Sequence, residues 1–140
     1  MAIAKYFPLF TFFMVVIGSI FLTACGGGGG EPVTTIDVEM TEHKFTPDEF
    51  TVPARAEITI NLKNSGTQPH EFQIMIRGAT AAEERMDKNG NSTKYWNAIA
   101  YPGDSKSLRF TAPSEPGSYV IKCSVPGHTE AGMVGTLQVK

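Results

Sequence analysis

Between Thr34 and Thr41 the chain alternates, with Ile36, Val38 and Met40 on one side and Asp37, Glu39 and Thr41 on the other. Successive side chains of a strand point to opposite faces, so this pattern predicts a half-buried strand. Phe45 to Pro53 is irregular, and Pro47 and Pro53 bracket another short extended piece. Glu57 to Lys63 alternates again with Ile58, Ile60 and Leu62 inward, and Asn64-Ser65-Gly66 ends it as a turn. Further extended segments are predicted at His70 to Arg77, at Ser105 to Thr111 with Leu108 and Phe110, at Ser118 to Cys123 and at Met133 to Lys140. Six or seven strands at this spacing, punctuated by proline and glycine turns, predict an all-β fold, an antiparallel β-sandwich of Greek-key type.

The alternation breaks between Gly78 and Asp104. Ala79 to Asp87 has the composition for two turns of helix, and Lys88-Asn89-Gly90-Asn91 reads as a turn. A short helical or irregular crossover insertion is therefore expected here. Tyr95, Trp96 and Tyr101 supply the aromatic bulk to pin it against the sandwich. Trp96 is read as a packing anchor rather than a redox relay.

The N-terminus follows a different pattern. One positive charge lies in Met1 to Lys5, and an apolar run extends from Tyr6 to Leu22. Leu22-Thr23-Ala24-Cys25 resembles the bacterial lipobox, which implies a lipoprotein-type signal peptide at 1–24 and lipidation of Cys25. The alternative is an uncleaved membrane anchor, since about 20 apolar residues suffice to cross a bilayer. Residues 25–33 then form the lipidated cysteine and a glycine-rich linker, and 34–140 the folded domain. Gly26 to Gly30 behave as coil with an end-to-end distance on the order of 12 Å. Either reading places the domain outside the cytoplasm, anchored to a bacterial cell membrane.

Composition narrows the class. The 140 residues, 41% hydrophobic and 19% charged, suit one modest domain. A net charge of -2 argues against nucleic acid, which calls for a basic stripe. The two cysteines sit in unlike contexts, Cys25 before five glycines and Cys123 at the end of a strand, so no disulfide is expected between them.

The chemistry concentrates in Cys123-Ser-Val-Pro-Gly-His128-Thr-Glu-Ala-Gly-Met133, with a second imidazole at Pro69-His70. Two His and one Cys with a weak axial Met make the ligand set of a blue-copper site. Phase supports this independently. His70 shares a face with Phe72, Ile74 and Ile76, Cys123 with Tyr119 and Ile121, and Met133 with Leu137 and Val139. Three candidate ligands thus point from strand ends into one apolar interior. Taken singly, Cys123 reads as a small core hydrophobe, His128 as a loop histidine and Met133 as packing. Taken jointly, they read as ligands of one copper ion. His43, among charged residues, is expected to face solvent.

This loop resembles that of the cupredoxins, and its Cys-x4-His-x4-Met spacing is most similar to the auracyanins, membrane-associated blue-copper proteins of photosynthetic bacteria. Pro69-His70, Tyr101-Pro-Gly, Phe110-Thr-Ala-Pro and Gly117-Ser-Tyr extend the likeness, which is weak from Ala79 to Ala100. The resemblance implies that His70 and His128 bind copper through Nδ1, Cys123 as thiolate and Met133 at longer range. Many relatives carry Asn after the first His, tied to a Ser or Thr after the Cys. Here Ser124 is present and Glu71 replaces the Asn, leaving a pair able to hydrogen-bond. Ala54-Arg55 stands where a glycine turn is common.

The reading is an electron carrier, not an enzyme, because four protein ligands leave no open position. Its partners would be a redox donor and acceptor, such as a cytochrome or a membrane oxidoreductase complex, met by a monomer. The small residues Pro126, Gly127, Ala131 and Gly132 around His128 suggest the electron port. The alternative is a copper-delivery protein of the extracytoplasmic space.

Overall fold

The computed structural model describes residues 30–84 and 86–140. The expected signal peptide, Cys25 and most of the glycine run lie outside the described residues. Among the described residues there are nine strands: β1 Thr35–Thr41, β2 Lys44–Thr46, β3 Glu49–Val52, β4 Glu57–Asn64, β5 His70–Met75, β6 Lys94–Ala100, β7 Ser105–Thr111, β8 Gly117–Lys122 and β9 Val134–Val139. They form a four-stranded sheet ordered β2-β1-β4-β7 and a five-stranded sheet ordered β3-β9-β8-β5-β6. No helix of the described residues is long and apolar enough to cross a membrane.

The predicted inward residues fill the space between the sheets. Ile36, Val38, Met40, Ile58, Ile60 and Leu62 from one sheet meet Phe72, Ile74, Ile121, Leu137 and Val139 from the other in a single buried cluster. Phe45 and Phe72 pack edge-on across it, ring centroids 5.2 Å apart. Truncating a ring such as Phe72 to Ala in a core of this kind costs about 3–5 kcal/mol.

The sandwich is mixed rather than purely antiparallel, since β1 pairs with β4 and β3 with β9 in parallel. The described residues of the segment 79–87 hold turns rather than helix. A strand the alternation did not predict, β6, runs along the edge and pairs with β5. Trp96 on β6 stacks on Phe110 of β7 at 5.0 Å, joining the two sheets as the anchor expected of it. Tyr101 is largely exposed and packs no crossover; Lys106 lies over its ring instead. Strand β5 ends at Met75, where its pairing with β6 shifts register, and Ile76 lies beyond that end and is exposed.

Strand β5 is buried on both faces. Phe72 and Ile74 face the core, while Gln73, paired in register with Lys122, faces outward. The crossover folds over that outer face: Lys122 Nζ donates to the carbonyl of Ala81 at 3.0 Å and to that of Glu83. The strand that leads into Cys123 is thereby held by the insertion.

Candidate metal centre

Four loops meet at one pole of the sandwich: 42–43, 65–69, 101–104 and 123–133. Asn64, buried at the end of β4, organises the second of them. Its Nδ2 donates to the carbonyls of Gln68 (2.8 Å) and Ala100 (2.9 Å), and its Oδ1 accepts from the Gly66 N–H (2.9 Å). These bonds shape the approach to His70, the first residue of β5. The long loop closes on itself. Cys123 N–H donates to the Met133 carbonyl at 3.0 Å, and Met133 N–H to the His128 carbonyl at 2.9 Å. Thr129 Oγ1 adds a bond to the Cys123 carbonyl at 2.6 Å. Gly132 has a φ of 98°, a left-handed conformation that a side chain would strain.

The fold brings the predicted donors together. His70 Nδ1 and His128 Nδ1 lie 3.2 Å apart, and Cys123 Sγ lies 3.9 Å from the first and 3.5 Å from the second. A point equidistant from the three atoms is about 2.1 Å from each, within the ~2.0–2.3 Å at which imidazole nitrogen and thiolate sulfur bind a divalent ion such as zinc. All three residues are buried. Met133 is fully buried in the same core and is hydrogen-bonded through its backbone to two members of the triangle, Cys123 and His128. Soft sulfur and imidazole donors at this spacing fit copper.

The electrostatics of the two histidines agree with that fit, while the buried thiol must lose its proton to a bound cation. Burial pushes the Cys123 thiol up, against the N–H groups of Glu71 and Val125 that donate to the sulfur. Burial pushes His70 down, helped by His128, and pushes His128 down, helped by His43. Both imidazoles therefore present lone pairs at neutral pH, while the thiol ionises against a cation.

Glu71 N–H donates to Cys123 Sγ at 3.4 Å. Its buried carboxylate accepts from Ser124 Oγ and from Asn97 Nδ2. The Glu71–Ser124 hydrogen bond expected of this pair is thus present, and Asn97 of β6 joins it.

Pro126, Gly127, Ala131 and Gly132 are exposed, but His128 itself is only 3% exposed. Two residues missed by the sequence reading surround its ring. Gln68 Oε1 lies 3.1 Å from His128 Nε2. The ring of His43, exposed as expected, meets the His128 ring edge-on with centroids 4.9 Å apart. Neither contact has a local sequence signal, because Gln68 and His43 are far from His128 along the chain.

A β-sandwich with a buried two-histidine, one-cysteine triangle and an adjoining methionine at its pole defines a blue-copper cupredoxin. The chain belongs to the plastocyanin/azurin family of copper-binding proteins, whose model matches residues 32–140. It is 29% identical over 136 residues to auracyanin-B of Chloroflexus aurantiacus, covering 80% of this chain and 57% of that relative's length. Among solved structures it resembles reduced auracyanin of the photosynthetic bacterium Roseiflexus castenholzii, with a TM-score of 0.66 and 31% identity over 78% of this chain and 98% of that one. Auracyanin A of Chloroflexus aurantiacus, described as a blue copper protein, matches with a TM-score of 0.60 and 27% identity, over 78% and 99% of the two chains.

Proposed function

We propose that the protein carries single electrons on one copper ion held by His70 Nδ1, His128 Nδ1, the Cys123 thiolate and, more weakly, Met133. The observation that carries this reading is the buried triangle of three donor atoms at metal-binding spacing. Copper supplies a one-electron couple, Cu(I)/Cu(II), for which this mixed sulfur and nitrogen set is a compromise.

The chain's own residues do the rest. Backbone N–H groups of Glu71 and Val125 face the sulfur and stabilise its anionic form. The loop's internal bonds and the two sheets hold the donors in place, so they need move little when the charge changes. Surrounding hydrocarbon, with Phe72, Ile121 and Leu137 in the same core, limits water access and helps set the potential. Four protein donors leave no position for a substrate, which supports a carrier rather than an enzyme.

Around this core stand the wider proposals. Residues 1–24 direct export, Cys25 carries lipid, and the glycine linker tethers the monomeric domain 34–140 outside the cytoplasm at the bacterial membrane. The lipobox-like Leu22-Thr-Ala-Cys25 supports this. A cytochrome or membrane oxidoreductase would dock over Pro126, Gly127, Ala131 and Gly132.

Absorption and EPR spectra of the copper-loaded domain test the reading. A strong thiolate-to-copper band and a narrow hyperfine splitting are expected, both abolished in Cys123→Ser. A colourless protein with stoichiometric copper would point to delivery instead. Cys25→Ser should release the protein from the membrane or leave an uncleaved precursor; mass spectrometry showing an intact apolar N-terminus without acyl groups would favour the membrane anchor.

A further inference from the structure

The two imidazoles of the site are supported differently. His70 has a buried Nε2 with no hydrogen-bond partner, and the ring is held by close packing: a Cβ built on Gly66 would lie 3.0 Å from that nitrogen. His128 sits on a loop, and its Nε2 has a partner, the side-chain oxygen of Gln68 at 3.1 Å. A carboxamide oxygen can only accept, so the proton of the neutral ring belongs on Nε2 and the lone pair on Nδ1. That lone pair is the one aimed at Cys123 Sγ and His70 Nδ1.

Gln68 is itself fixed. Its carbonyl accepts from Asn64 Nδ2 at 2.8 Å, and Asn64 is buried at the end of β4. A chain of contacts therefore runs from the four-stranded sheet through Asn64 and Gln68 to the ring on the opposite loop. The His43 ring packs edge-on, at 90°, against the His128 ring.

We propose that Gln68 is a positioning residue for the copper site: it fixes the tautomer and orientation of His128 so that Nδ1 faces the metal. This rests on the copper reading given above. Metal-bound histidines are commonly oriented by an acceptor on the other nitrogen, and losing such a partner costs on the order of 10–100-fold in metal affinity.

The test compares wild type, Gln68→Leu, which keeps bulk without an acceptor, and Gln68→Glu, which keeps the accepting oxygen. Two quantities are measured on 15N-labelled protein: Cu(I) affinity by chelator competition, and solvent exchange of the His128 Nε2–H in the metal-free and Cu(I)-loaded forms. Gln68→Leu should weaken Cu(I) binding at least tenfold and speed Nε2–H exchange at least tenfold. Gln68→Glu should restore both, and circular dichroism should show all three folded, since Gln68 is an exposed loop residue. Affinity and exchange within twofold of wild type in Gln68→Leu would overturn the proposal. If wild type bound no copper, the copper reading would fall, while exchange in the metal-free protein would still decide whether Gln68 holds the ring.

Discussion

The hydroxyl of Ser124 donates to the carboxylate of Glu71, tying the residue after Cys123 to the residue after His70. The pair fixes the metal loop to β5 and also leaves a carboxylate near the sulfur, where its charge adds slightly to the burial that pushes the Cys123 thiol up. A negative charge there favours the more positive, oxidised site. Glu71→Gln, which keeps an acceptor and removes the charge, should therefore raise the reduction potential by tens of mV, where ~59 mV is a tenfold change in a one-electron equilibrium. Voltammetry at neutral pH measures it, and an unchanged or lower potential would refute the assignment.

Ser124→Ala removes the donor and leaves the buried carboxylate with one fewer partner. Loss of such a bond costs about 1–3 kcal/mol. Urea unfolding of the metal-free variant should show a lower midpoint with an unchanged slope.

Met133 is fully buried and should tune the potential rather than hold the metal, as the axial ligand of such sites is weak. Met133→Leu should raise the potential and Met133→Gln, with a harder oxygen donor, should lower it. The leucine variant conserves volume and should cost less than about 1.5 kcal/mol of stability. No shift in either variant would remove Met133 from the site.

Burial holds His70 and His128 below the usual histidine value of 6.5. As pH falls, the unfolded chain takes up these protons before the folded one does. The metal-free domain should therefore be most stable above that value and lose stability as pH drops below it. Denaturation midpoints between pH 8 and 5 test this; a double variant lacking both imidazoles should have a shallower slope.

Asn64→Ala removes three side-chain bonds that shape the 65–69 loop. At ~1 kcal/mol each, the loss is about 3 kcal/mol. Nuclear magnetic resonance of the variant should show broadened signals for His70 and Gln68 before those of the β8–β9 hairpin.

The ligand quartet was legible because each member is a chemically rare residue placed at a strand end or in a glycine-bounded loop. Alternation gave the buried faces of β1 and β4 directly. It did not give their parallel pairing, since periodicity reports which way a side chain points and not which strand lies alongside. Strand β6 escaped because its burial barely alternates: Trp96, Asn97 and Ala98 are all half-buried on an edge. The outward residues Gln73 and Met75 look like a surface face in sequence and are nevertheless buried, on the face where Lys122 reaches the carbonyls of the crossover. Gln68, Asn97 and His43 acquire meaning solely through distant partners. Glu71 was readable as the partner of Ser124 only through the resemblance to relatives.

His70 opens β5, Cys123 follows β8 and Met133 precedes β9, and these three strands are consecutive neighbours in one sheet. His128 hangs from the loop joining two of them. The donor cluster thus hangs largely from a single wall of the sandwich, and the opposite wall reaches it through the His43 ring and through Asn64 and Gln68. His128, which those contacts reach, is therefore the donor most exposed to relative motion of the two walls, whereas His70, Cys123 and Met133 are set by one hydrogen-bonded sheet.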